Sequence, residues 1–192
     1  MIKTEHFDKV EVKSKEELRE WLENHYGQEE SVWLVTYKKA ENAPYVSVGE
    51  ILDELLCFGW VDGIRRKLDD QRTMQLISSR KTQYWSGTYK KRAAKLIEEG
   101  RMKEAGFQSI EHSKALGLWN FMDDVDQLII PKDLEEALSE KPFAKDFFDQ
   151  INDSSKRFVL RWIKLSKTNK TRRNRIDKIV QLSAKGEKLP GS

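Results

Sequence analysis

A single cysteine, Cys57, occurs in the 192 residues, so no intrachain disulfide can form and the fold must rest on its core alone. Histidine is almost as scarce. His6, His25 and His112 are scattered and no Cys/His cluster has zinc spacing, so neither a metal nor any other cofactor is expected. No apolar run approaches the ~18 residues of a membrane span, and Met1-Ile2-Lys3-Thr4-Glu5-His6-Phe7 lacks the apolar stretch of a signal peptide. A soluble protein of the reducing cytoplasm, without a membrane span, is the expectation. Serines such as Ser86 have no Gly-x-Ser-x-Gly context, which leaves hydrolase chemistry without support. Cys57 falls among leucines near a helix C-terminus, where the helix dipole disfavours a thiolate, so it reads as a small buried hydrophobe and not as a nucleophile.

What the chain does carry is charge, at 35% of residues against 38% apolar, with six tryptophans to supply burial. The net charge of +3 hides an uneven layout: residues 65–103 hold 12 Lys/Arg against 4 Asp/Glu, 119–152 hold 3 against 9, and 153–192 hold 12 against 3. A chain of this length suits one domain or two closely packed lobes.

Local patterns divide it. Ser14-Lys15-Glu16-Glu17 and Ser47-Val48-Gly49-Glu50 are capping boxes that start helices, the first running through Leu18, Trp21, Leu22 and Tyr26 to Gly27, the second through Ile51, Leu52, Leu55, Leu56 and Phe58 to Gly59. Residues 31–37, 60–67 and 73–78 read as strands, the last two joined by a turn at Leu68-Asp69-Asp70-Gln71. After Trp85 only helices are expected: one capped by Ser86 and stopped by Gly100, one marked by Phe107, Ile110 and Leu116, then others opened by Pro131, by Pro142, and by Asp153 or Ser154, with stripes Phe143, Phe147, Ile151 and Phe158, Trp162. The expected fold class is α+β: a small antiparallel sheet with flanking helices in residues 1–117, followed by a mostly helical region in 118–192 packed on the first lobe.

Chemistry concentrates where the period changes, at Leu55-Leu56-Cys57-Phe58-Gly59-Trp60-Val61-Asp62-Gly63-Ile64-Arg65-Arg66. Strand alternation puts Trp60 and Asp62 on one face, an aromatic wall beside a carboxylate, with Arg65, Arg72 or Arg80 within ion-pair reach to hold an anionic group. The alternatives are a ligand site formed by Trp60, Asp62, Arg65, Arg72, Arg80 and Trp85, or an Asp–Arg pair that satisfies itself beside a core Trp.

Gly59-Trp60-Val61-Asp62, Asp69-Asp70, Arg72, Gln75, Arg80, Trp85-Ser86, Gly100-Arg101-Met102 and Gly106 together resemble the bacteriocin-protection family, also called YdeI/OmpD-associated, over about Tyr45 to Leu189. Ser79, Ile77 and Tyr89 depart from it, where a Pro, an aromatic and an Asn are common. The resemblance implies a role in resistance to bacteriocins or antimicrobial peptides and supplies no agreed catalytic residues. The leading expectation is a non-catalytic stress or resistance protein that binds an unidentified small ligand or protein partner. One alternative is an enzyme acting on a small anionic substrate with Asp62 as base. The other is weak, non-specific nucleic-acid binding through the basic blocks 65–103 and 167–178, with Tyr84, Trp85 and Tyr89 stacking bases and Lys170, Arg172, Arg173 and Arg175 meeting phosphates, since five cations fall among Lys167 to Arg175.

Overall fold

The computed structural model describes residues 4, 6–40 and 43–192 and divides the chain into two compact units, Met1–Asn120 and Phe121–Ser192. In the first unit the order is β1 (Lys9–Glu11), α1 (Lys15–His25), β2 (Val32–Tyr37), α2 (Val48–Cys57), β3 (Trp60–Lys67), β4 (Arg72–Ser79), α3 (Gly87–Glu98) and α4 (Glu104–Ala115). The strands form one sheet in the order β1-β2-β4-β3. Its β2-β4-β3 part is antiparallel, as the β-branched runs and the Asp turn predict, but β1 adds in parallel on β2, so the sheet is mixed. Three residues at the edge are too short a run to register as a strand in the sequence.

Local chemistry explains the boundaries. Ser14 Oγ accepts from Glu17 N–H, but the returning Glu17 carboxylate takes the Lys13 N–H instead of its own cap, so only Ser47 and Glu50 close a full reciprocal box. The first helix ends at Tyr26 in right-handed backbone, without the left-handed Gly27 expected, whereas Gly59, Gly100, Gly117 and Gly186 do adopt positive φ. Asp69 Oδ1 accepts from the N–H groups of Gln71 at 2.9 Å and Arg72 at 2.7 Å, which makes the β3–β4 turn an Asx turn.

The core lies between one face of the sheet and the helices. Leu34, Ile77 and Trp60 meet Leu18, Leu22, Ile51, Leu55, Ala93 and Leu96. Burial of this set supplies the main stabilisation, at about 1.5–3 kcal/mol for each large side chain. Gly59 and Gly106 let the end of α2 approach the start of α4: a Cβ on Gly59 would stand 2.7 Å from Ala105 O, and one on Gly106 2.5 Å from Cys57 O. The Lys103 N–H then satisfies the Cys57 carbonyl at 3.0 Å.

The second unit is helical: α5 (Asp123–Asp126), α6 (Lys132–Ser139), α7 (Pro142–Gln150), α8 (Asp153–Lys164) and α9 (Asn169–Ser183). Its core uses Leu134, Leu138, Ala144, Phe148, Val159, Leu160, Ile163, Ile176 and Ile179. Of the expected stripes, Ile151 and Trp162 pack against this core, but Phe143 and Phe158 do not. Phe143 is 64% exposed and Phe158 41%, while their neighbours Ala144 and Val159 point inward. In α4 the expected Ile110 is buried, but Phe107 and Leu116 are exposed and Gly106 and Ser113 face inward instead. Asn152, not Asp153 or Ser154, caps α8 through Ser155 N–H. Among the described residues no helix is long and apolar enough to cross a membrane.

Candidate functional site

The end of β4, the start of β3 and the first turn of α3 converge in the first unit. Arg80 follows β4 directly, its N–H held by the Gly59 carbonyl at 2.9 Å. Ser86 caps α3 by accepting from Tyr89 N–H, which fixes Tyr89 over the sheet, and buried Trp85 anchors the turn before it. Asp62 receives the Tyr89 hydroxyl at 2.5 Å on one oxygen and Gln75 Nε2 at 3.0 Å on the other. Gln75 Oε1 in turn accepts from Arg65 Nη2 at 2.9 Å.

A bulge makes this chain possible. Asp62 pairs with Ile77 and Arg65 with Gln75, so residues 63 and 64 together face one residue of β4. Three residues apart in a regular strand, Asp62 and Arg65 would lie on opposite faces. The extra residue brings both to the Gln75 side.

The expected ion pair between Asp62 and an arginine does not form, because neutral donors take both carboxylate oxygens. Trp60 is fully buried, donates its indole N–H to Tyr26 O at 3.0 Å and packs edge-on against Trp21, so it is a core residue and no wall of an open cleft. Arg72 sits at the opposite end of β4 from Arg80, roughly 26 Å away at ~3.3 Å per residue. There it joins Asp69 at 2.7 Å and Glu11 at 2.6 Å. Of the six residues expected to form a site, the structure groups Asp62 and Arg65 through Gln75, and Arg80 with Trp85, and sets Trp60 and Arg72 apart.

Arg80 is the unusual member. It is 8% exposed, has its guanidinium carbon 4.3 Å from the Trp85 ring centre and 5.5 Å from that of Tyr89, and makes one long hydrogen bond, from Nη1 to Gln83 O at 3.3 Å. Burial lowers its pKa to about 10, and the nearby Asp62 charge opposes that shift. For Tyr89, burial and then the bond to Asp62 push the phenol above the ordinary tyrosine range. Such a group can hold an anion.

A second charged cluster escaped the sequence reading. Glu54 is 1% exposed and takes Arg19 Nη1 at 2.7 Å and Arg101 Nη2 at 2.8 Å. Arg101 also reaches Glu99 at 3.2 Å and Asp53 at 3.6 Å, and Asp53 pairs with Arg92. The available signal was an acid on the apolar Ile51–Leu55–Phe58 face of α2. Every member is paired, so the cluster ties α1, α2 and the Gly100–Met102 turn together. Beside it Cys57 is buried, and burial followed by the Glu54 charge pushes its thiol up to about 11.

In the second unit, two of the four expected phosphate contacts are already committed. Arg172 binds Asp133 through Nε at 2.6 Å and Nη2 at 2.8 Å, while Arg175 donates to Trp162 O and stacks on its ring. Lys170 and Arg173 stay on the open surface. Base stacking by Trp85 is ruled out by its burial. His25 stacks on Trp21, and among the described residues no three His, Cys, Asp or Glu side chains are arranged to hold a metal.

Comparison with known proteins assigns both parts of the chain. Residues 10–109 match the family model described as "Domain of unknown function (DUF8412)", and residues 127–186 match "Bacteriocin-protection, YdeI or OmpD-Associated". The motifs from Gly59 to Gly106 thus lie in the first of these matches. No curated protein and no solved structure matches the chain. With the first match covering just over half its length, the chain belongs to the DUF8412 domain family, and it carries a bacteriocin-protection, YdeI/OmpD-associated segment in its second unit.

Proposed function

We propose that this is a non-catalytic protein of bacteriocin or antimicrobial-peptide resistance that acts in the cytoplasm by binding a small ligand or a partner at the Asp62–Tyr89–Arg80–Trp85 group. The match over residues 127–186 supports the resistance role. The observation that favours binding over catalysis is the state of Asp62: a carboxylate that already accepts from Tyr89 and Gln75 is poorly placed to take a substrate proton. Its work is to hold Tyr89, and Tyr89 with Trp85 holds the Arg80 guanidinium.

The test is survival of a bacteriocin-sensitive bacterium expressing the protein, at a fixed dose of bacteriocin. Wild type raises survival, Arg80→Met abolishes the gain, and Asp62→Asn, which keeps an acceptor for Tyr89, reduces it by a few-fold at most. Full loss in Asp62→Asn with Arg80→Met unaffected supports the enzyme reading with Asp62 as base. Survival no better than with an empty vector refutes the resistance role.

A further inference from the structure

Two hydrogen-bond donors in one buried spot of the first unit have nothing to donate to. Arg80 Nε meets no acceptor although Arg80 is 8% exposed, and Trp85 Nε1 meets none although Trp85 is 1% exposed. The side chains touch, with the guanidinium carbon 4.3 Å from the Trp85 ring centre. The other fully buried indoles of this unit behave differently: Trp33 donates to Thr4 O at 2.8 Å and Trp60 to Tyr26 O at 3.0 Å. A buried donor left unpaired costs about 1–3 kcal/mol, so a fold that satisfies its other indoles has a reason to leave this one open. Nor do the described residues supply Arg80 with a carboxylate in ion-pair reach. Asp62, whose charge reaches Arg80, has both oxygens engaged.

We propose that Arg80 and Trp85 form a binding site for an oxyanion, the carboxylate or phosphate group of a small molecule. This rests on the binding role given to the same group above and adds the class of ligand. The Nε edge of a guanidinium presents two parallel N–H groups that match two oxygens of a carboxylate or phosphate, and the indole N–H supplies a third donor. Contact with the Trp85 and Tyr89 rings holds the guanidinium in place before the ligand arrives. Entry requires Gln83, whose carbonyl lies against the guanidinium, to move aside; it belongs to the exposed segment 81–84, outside any helix or strand.

Nitrogen–proton NMR of the whole chain tests this directly, because a buried Arg Nε–H and each indole N–H give separate signals, assigned with Arg80→Lys and Trp85→Phe. The probes are inorganic phosphate, acetate and, as a spherical control, chloride at equal ionic strength. The expected result is a saturable shift of the Arg80 Nε–H and Trp85 indole signals with phosphate or acetate and none with chloride, and the stronger of the two identifies the phosphate or carboxylate source. By calorimetry Arg80→Lys, which keeps the charge and loses the two-pronged geometry, weakens binding by about tenfold or more, and Lys95→Gln on the exposed surface of α3 leaves it unchanged. Wild-type signals that phosphate and acetate leave in place up to high millimolar concentration overturn the oxyanion site. If Arg80→Met still abolishes bacteriocin survival in that case, the binding role stands and only the ligand class falls; if it does not, both fall.

Discussion

Removing Glu54 tests whether the first unit is locked by its buried charge cluster. Glu54→Ala deletes two charged hydrogen bonds, to Arg19 at 2.7 Å and Arg101 at 2.8 Å, from a site 1% exposed. Such bonds contribute about 1.5–3 kcal/mol each, and breaking a fully buried pair costs about 3–5 kcal/mol. The loss here is smaller than that limit. Arg19 and Arg101 retain 26% and 30% side-chain exposure, Arg101 keeps Glu99 at 3.2 Å, and Arg19 keeps Glu23 at 3.8 Å. A destabilisation of about 3 kcal/mol follows. With a urea slope of about 2 kcal/mol/M, the midpoint moves down by about 1.5 M at unchanged slope. Tryptophan fluorescence is the right probe, since Trp21, Trp33, Trp60, Trp85 and Trp119 all lie in the first unit. A double-mutant cycle with Arg101→Ala isolates the pair and should return a coupling of about 1.5 kcal/mol or more. A midpoint within about 0.3 M of wild type, or a coupling under about 0.5 kcal/mol, refutes the argument.

Gly106→Ala places a methyl group 2.5 Å from Cys57 O and against the Met102 sulfur, so α4 must back away from α2 at a cost of about 2 kcal/mol or more; thermal unfolding unchanged within a degree or two would show that the junction has slack. The Cys57 thiol, buried and pushed up to about 11, should ignore a thiol reagent at pH 8 in the native protein and react fully in denaturant, and fast native labelling would contradict that burial. In the second unit the Arg172 bond holds the Asp133 carboxyl below the ordinary carboxylate range. Because the folded value is the lower one, this stability is complete above the unfolded value near ~3.9 and is lost as pH falls through the folded value. Urea unfolding at pH 7 and pH 3, followed by circular dichroism, should show a smaller acid loss for Arg172→Gln than for wild type, and equal losses would remove the pair from the account.

Much of the fold could be read from short patterns, because caps, turn residues and left-handed glycines act within a few residues of themselves. Ser47 with Glu50, the Asp69 turn, Gly59 and the β-branched and aromatic run of β2 are of this kind. Where two neighbours were both apolar, as at Phe143 and Ala144, pattern alone chose the larger residue. The tertiary contacts chose the smaller, since helices that pack closely need small side chains between them. Glu54 depends on Arg19 and Arg101, 35 and 47 residues away, and no local rule links them.

The candidate site divides in the same way. The sequence by itself placed Asp62 and Arg65 at a helix-to-strand change and Arg80 and Trp85 in the cation-rich stretch that follows, because composition and period are local properties. Only the tertiary structure decided which of them meet. The bulge at residues 63–64 turns Arg65 toward Gln75, Tyr89 arrives from a different helix to occupy Asp62, and Trp60 is drawn into the core against Trp21. The unpaired donors on Arg80 and Trp85 are the clearest case: an unmet hydrogen bond is a statement about everything surrounding an atom, and that is decided by packing among residues far apart in the chain.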